Sequence, residues 1–293
     1  MVSRYGVILS ASSLAQIGII AKDVRDCGMI LQIISGHDEK DPMTVRTDLN
    51  GTIPASEPSI KGMRIGIPRE YLDDRLNSDV AEAIKKALKV FQDLGACVEE
   101  ITLPSVEYAP AAYSTILSAE ASSNLGRYDG IKFGYKAEGF SDLDEMYKKT
   151  RSQGFGQQVK LRIMLGNHIL SAENCERYYY KALQARTIIK GEFEKAFEKC
   201  DIIISPTCST TGSEFERGTD DFLKAFLTDI YTAPAGVIGL PALTIPCGFD
   251  DNGFPIGMQL MGRAFEEGIL LKAGLAFEQN TDYHIKRPVI NWR

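Results

Sequence analysis

Tyr113, Arg162 and Asp229 carry complementary chemistries at three distant points of the chain. An arginine fork can grip a carboxylate through two parallel hydrogen bonds, an aspartate can accept from an ammonium, and a tyrosine can orient either group. Together these types suit recognition of a small zwitterion. Each also has a plain structural reading: Arg162, between Lys160 and Ile163, as a solvated helix arginine, Asp229 as the cap of a turn, and Tyr113 as a core side chain. Residue type alone leaves both readings open. Ser12, Ser13, Ser122 and Ser123 are nucleophile candidates by type only, because none sits in a glycine-rich loop with a lysine at workable spacing.

The remaining inventory excludes more than it offers. The chain has no Gly-x-Ser-x-Gly elbow, no Walker-type phosphate loop and no dinucleotide fingerprint. Its 6 cysteines contain no C-x-x-C pair and read as reduced packing residues of a cytoplasmic protein, and 3 dispersed histidines argue against a metal centre. A net charge of -6 over 293 residues argues against a general affinity for nucleic-acid backbones or anionic membranes. A partner subunit could still carry an RNA contact. No apolar run approaches the length of a membrane span, and the first residues are not a charged-then-apolar export signal.

The elements that must position these groups follow from periodicity. Val7-Ile-Leu9 reads as a short strand, and Val24, Cys27, Met29, Ile30, Ile33 and Ile34 recur at helical spacing up to Gly36. Residues 37–59 read as a surface loop. Strand 63–67, a helix opened by Asn77 and closed by Gly95, and strand 96–103 form a crossover unit, whose ligand side is expected at the strand carboxyl ends. A helix is expected over 111–125, weak and mobile surface structure over 130–155, and helices over 159–170 and 173–199. A buried strand over 201–206, a Ser/Thr/Gly loop over 207–219, a strand over 257–261 and a last helix over 266–277 complete the order.

Residues 228–249 stand out. Pro234, Gly236, Gly239 and Pro241 punctuate the chain before the apolar run of Ala242 to Ile245. Small residues beside a strand end suit the wall of a small-molecule pocket with Asp229 and Tyr231 at its rim, and they equally suit a tight helix-to-strand connection inside a core.

The segments Val2-Ser-Arg-Tyr-Gly6, Ser12-Ser-Leu14, Ser35-Gly-His-Asp38, Ala119-Glu-Ala-Ser-Ser-Asn124, Arg127-Tyr-Asp-Gly130, Arg162-Ile-Met-Leu-Gly166, Asp229-Ile-Tyr-Thr232, Gly239-Leu-Pro-Ala242 and Pro246-Cys-Gly-Phe249 occur in one register. This combination resembles the amidase signature family, and within it the branch that works as the glutaminase component of a tRNA-dependent amidotransferase. The resemblance implies an α/β fold with a mixed central sheet flanked by helices in α/β/α layers, incomplete at the N-terminus. It implies one domain over 1–293, with 1–60 ending the signature region in a surface loop and 61–293 supplying the rest of the sheet and its covering helices.

By that resemblance the complete protein hydrolyses glutamine and sends ammonia to B and C subunits, which amidate glutamate esterified to tRNA. ATP and Mg would belong to the partner subunit, with no cofactor in this chain and no membrane partner. Arg162 would hold the α-carboxylate of glutamine and Asp229 the α-ammonium, with Tyr113 close by. The family's nucleophilic serine, bridging serine and lysine precede its Val-Ser-Arg-Tyr-Gly segment, which stands here at residue 2. The expectation is therefore a chain that carries substrate recognition without the catalytic set, leaving none of the residues present as catalytic. A second departure lies in Ser13-Leu-Ala-Gln-Ile-Gly-Ile19, where Ala15 and Ile19 replace the family's usual aspartate and proline. The rival readings are a general small-amide amidase and a non-catalytic scaffold or half of a split protein.

Overall fold

The computed structural model describes residues 1–46, 58–73, 75–212 and 230–287. Its helices in chain order are α1 (Val24–Ile34), α2 (Ser78–Asp93), α3 (Ala109–Leu125), α4 (Leu143–Gly154), α5 (Gln157–Ile169), α6 (Lys181–Lys199), α7 (Ala233–Ile238) and α8 (Glu267–Gln279). Its strands are β1 (Arg64–Pro68), β2 (Cys97–Ile101), β3 (Ile202–Pro206), β4 (Ala242–Phe249) and β5 (Pro255–Met261). The chain falls into two compact units, one of Met1–Tyr5, Gln16–Pro110 and Ile188–Arg293, the other of Gly6–Ala15 and Ala111–Thr187. Among the described residues no helix is long and apolar enough to cross a membrane.

The first unit is a mixed five-stranded sheet in the order β2-β1-β3-β5-β4, flanked by helices. β1 runs parallel to β2 and β3, while β5 is antiparallel to β3 and β4. Side chains alternate across it as strand geometry requires. Ile65, Ile67, Ile202, Ile204, Met258 and Leu260 share one core with Val80, Ile84 and Phe91 of α2 and Leu270 and Phe277 of α8. The alternate positions Ser205 and Gln259 are also buried, and they bond to each other: Gln259 Nε2 donates to Ser205 Oγ at 3.2 Å and to the Tyr231 carbonyl at 2.9 Å. A buried amide held this way meets the requirement that interior polar groups be partnered.

Capping explains the helix starts. Asn77 accepts from the Asp79 N–H at 2.8 Å, and Asp23 accepts from the Asp26 N–H at 2.8 Å. Glu278 of α8 accepts from the Val24 N–H at 3.0 Å, so a carboxylate 254 residues along the chain completes the first turn of α1. Gly239 ends α7 at φ 77°, a left-handed conformation that turns the chain directly into β4.

The second unit is helical and departs from expectation in three places. Residues 143–154 form α4 rather than mobile surface structure. Only Met146 and Thr150 of this helix are buried, so no apolar stripe marks it in the sequence. Polar bonds to backbone hold it: Thr150 Oγ1 accepts from the Ala137 N–H at 3.0 Å, and Arg151 donates to the Leu125 and Tyr128 carbonyls at 3.1 and 3.2 Å. Val7 to Leu9 form no strand, and Val7 and Ile8 are exposed. The nearby pairing is instead Val2 with Ser35, a single antiparallel bridge in the first unit. The helix expected over 173–199 is broken, with a turn at Ser171–Cys175 and a π-helical turn at Glu176–Tyr180 before α6 begins. Of the loops expected over 37–59 and 207–219, residues 47–57 and 213–219 lie outside the described residues.

Candidate functional site

Residues 10–15 of the second unit coil into a turn in which the Ala11 carbonyl accepts from the Leu14 and Ala15 N–H groups at 3.3 and 3.0 Å. This geometry sends Ala11 and Leu14 inward. They join Ala112 and Ile116 of α3 and Ala182 of α6 in a small apolar cluster, against which Tyr113 packs. Ser12 and Ser13 remain outside and polar.

α3 meets that turn with one stripe of side chains. Tyr113, Ile116, Glu120 and Asn124 follow helical spacing along a single face. Glu120 accepts from both groups of Ser13, the N–H at 2.9 Å and the hydroxyl at 2.5 Å. Asn124 Nδ2 donates to the Ser10 carbonyl at 3.2 Å and to Ser12 Oγ at 3.0 Å. From α6, Arg186 donates to Ser13 Oγ at 3.3 Å. Burial pushes the Tyr179 phenol above its ordinary pKa, and the Glu120 carboxylate pushes it the same way. The Ser12–Ser13 and Ala119–Asn124 segments, 107 residues apart in sequence at Ser13 and Glu120, thus form one polar clasp.

α5 crosses α3 closely. A methyl group on Gly166 would overlap the Ser118 carbonyl and the Ser122 side chain, so glycine is what permits the approach. Beside it Ser122 Oγ donates to Asn167 Oδ1 at 2.6 Å. That bond makes Ser122 a helix-to-helix tie, and Ser13 is equally committed to Glu120.

Of the three residues singled out for a zwitterion, the structure describes two. Tyr113 lies half-buried on α3, and Arg162 lies half-buried on α5, making no ion pair among the described residues. The two do not hydrogen-bond to each other among the described residues. Asp229 lies outside the described residues. Tyr231, expected at a pocket rim, is buried: its ring lies 5.3 Å from that of Tyr71, and its carbonyl receives Gln259.

The first unit holds a separate cleft of about 530 Å³ where the chain leaves β1 and β2, lined by Arg69, Glu70, Asp73, Arg75, Glu107 and Ile230 among others. Its charges are largely spoken for. Arg75 pairs with Asp73 at 2.5 Å, and Glu70 receives the Leu103 N–H at 3.0 Å.

Glu120 and Arg186 were not among the candidates drawn from the sequence. The signal for Glu120 was present: a single carboxylate stands in the otherwise small-residue run Ala119–Asn124. Arg186 sits among the many charges of α6, and nothing in its local sequence distinguishes it.

Comparison with known proteins places this chain among amidases. A family model described as amidase matches residues 1–271. The A subunit of glutamyl-tRNA(Gln) amidotransferase from Thermoanaerobacter pseudethanolicus is 48% identical over 290 residues, which is 99% of this chain and 59% of that protein. The crystal structure of the corresponding A subunit from Thermotoga maritima superposes with a TM-score of 0.76 at 37% identity, over 96% of this chain and 56% of that one. A bacterial aryl acylamidase of the amidase signature family, 20% identical with a TM-score of 0.68, shares the fold. The chain spans somewhat under three fifths of the length of the curated relatives it matches.

Proposed function

The chain belongs to the amidase family, and from that premise we propose that it is the glutamine-recognising part of a glutamyl-tRNA(Gln) amidotransferase A subunit. What supports the reading is identity of 48% sustained over 99% of the chain with a protein of that name. Arg162 would clamp the α-carboxylate of glutamine, Asp229 would accept from its α-ammonium, and Tyr113 would line the site beside them. The half-buried Arg162, with no carboxylate of the described residues bound to it, suits that role. Ammonia released from glutamine would pass to B and C subunits in the cytoplasm. There a partner subunit, using ATP and Mg, would carry the tRNA contact.

The resemblance carries recognition residues over to these 293 residues, so the assay that tests the reading is binding of glutamine.

Saturation-transfer NMR with free glutamine tests the recognition. The full chain should bind glutamine in preference to butyramide, which lacks the charged head group. Arg162→Ala and Asp229→Ala should each weaken binding by about tenfold or more, as expected when one partner of a hydrogen-bonded charge pair is removed. Equal binding of butyramide, or no loss in either variant, would overturn the reading in favour of a general small-amide amidase.

A further inference from the structure

We propose that Glu120 is a positioning residue that sets the orientation of Tyr113 by clamping the Ser12–Ser13 turn. This rests on the proposed glutamine site only for what Tyr113 faces. The positioning itself stands on geometry.

Glu120 takes both hydrogen-bond donors of Ser13 and so fixes that residue in position and in rotation. One bond would leave the turn free to pivot about it, whereas two from a single carboxylate do not. Arg186, on the Ser13 hydroxyl, and Asn124, on Ser10 and Ser12, hold the flanks. With the outer side of the turn pinned, its inner side is pinned too. Ala11 and Leu14 are buried at 3% and 8% exposure in the cluster against which the Tyr113 ring packs. Tyr113 stands on α3 two helical turns before Glu120, so one helix face carries both the clamp and the residue it positions.

This arrangement has little use for burial energy, because Ala11 and Leu14 are small or few and the hydrogen bonds of the clasp are exposed to solvent. Its use is directional. A tyrosine that lines a substrate site must be held from the side, since a ring free to change rotamer weakens every contact it makes. The carboxylate of Glu120, at some remove from the ring, does this through the turn.

The test is fluorine NMR on the full 293-residue chain carrying 3-fluorotyrosine, with the Tyr113 line assigned by its loss in Tyr113→Phe. Glu120→Gln and Ser13→Ala should each shift or broaden the Tyr113 line while the Tyr71 line in the sheet unit stays in place. Ser13→Thr, which keeps the hydroxyl and the N–H, should restore it. Titration with glutamine should then show affinity about tenfold weaker in Glu120→Gln than in the unsubstituted chain. An unchanged Tyr113 line in both Glu120→Gln and Ser13→Ala would overturn the positioning. So would failure of Ser13→Thr to restore it, because that would mark a general loosening. If the substitutions move the line but glutamine never perturbs it in the unsubstituted chain, the positioning stands and the glutamine reading of Tyr113 falls.

Discussion

In the sheet unit Phe91 and Phe277 stack with ring centroids 5.3 Å apart, both almost wholly buried, and the strands add Ile65, Ile67, Ile202 and Ile204 to the same core. In the helical unit the corresponding organising contact is a carboxylate on a serine, with an arginine and an asparagine beside it. One apolar cluster there has, among the described residues, five buried members, three of them alanines. Burial of apolar area has no direction, so the sheet unit can be held by many interchangeable contacts. A clasp of hydrogen bonds has direction, so the helical unit depends on a few partners in the right places. The first arrangement confers stability. The second holds particular side chains in particular orientations, which is what a recognition site requires.

The largest effect should come from removing the ring stack. Phe277→Ala leaves a cavity beneath the sheet and should destabilise the chain by about 3–5 kcal/mol, read from the midpoint of urea unfolding. A loss below about 1 kcal/mol would mean that the sheet unit does not rest on this core, and the contrast with the helical unit would collapse. Gly166→Ala probes the other side. The added methyl overlaps the backbone of α3 and cannot be relieved by a rotamer change, so a cost of about 1–3 kcal/mol is expected. Hydrogen exchange should locate the loosening in α3 and α5, with the sheet amides still protected.

The sheet unit was legible in the sequence because its cause is periodicity. Strands at Arg64–Pro68, Ile202–Pro206 and Pro255–Met261 and the helix capped by Asn77 all follow from apolar spacing and stop residues. The helical unit was less so. α4 has too few buried residues to show a period, and its stabilising bonds run from Thr150 and Arg151 to backbone groups that no pattern announces. The same holds for the site. Residue type and family resemblance point to Tyr113 and Arg162, while the lone carboxylate of Glu120 in a small-residue run does not disclose a partner 107 residues away. The short strand expected at Val7 to Leu9 failed for a related reason: three apolar residues in a row specify neither a partner nor a face.

Alkaline pH should act on the sheet unit through its buried thiols. Burial pushes Cys247 from an ordinary 9.0 up to about 12, and Cys200, also by burial, up to about 11. Both folded values lie above the unfolded one. The stabilisation is therefore complete below about pH 9 and is lost as pH rises through the folded values. Unfolding midpoints should fall progressively between about pH 9 and pH 12, and Cys247→Ala should flatten the upper part of that slope. The same burial should leave Cys200 and Cys247 unmodified by iodoacetamide at about pH 8 while the exposed Cys97 reacts, which peptide mass mapping would read. Rapid labelling of Cys247 would show that the sheet opens readily, contrary to the division drawn between the two units.

The smallest effect is the sharpest test of what kind of polar contact matters. Lys148 and Asp144 on α4 form an ion pair at 2.5 Å, nominally as short as the bond between Ser13 and Glu120. Both of its side chains are about three quarters exposed, and the pair joins residues four apart on one helix. Water competes for each charge, and the contact constrains nothing beyond the helix that already carries both residues. Asp144→Asn should leave the unfolding midpoint and the fluorotyrosine spectrum unchanged, whereas Ser13→Ala should move the Tyr113 line even where the midpoint hardly changes. Distance alone would rank the two contacts together. What separates them is that Glu120 ties segments far apart in the chain and, through the turn it holds, reaches a residue of the proposed site. If Asp144→Asn disturbed the Tyr113 line as much as Ser13→Ala did, the helical unit would be responding to charge in general, and the clasp would have no special place in it.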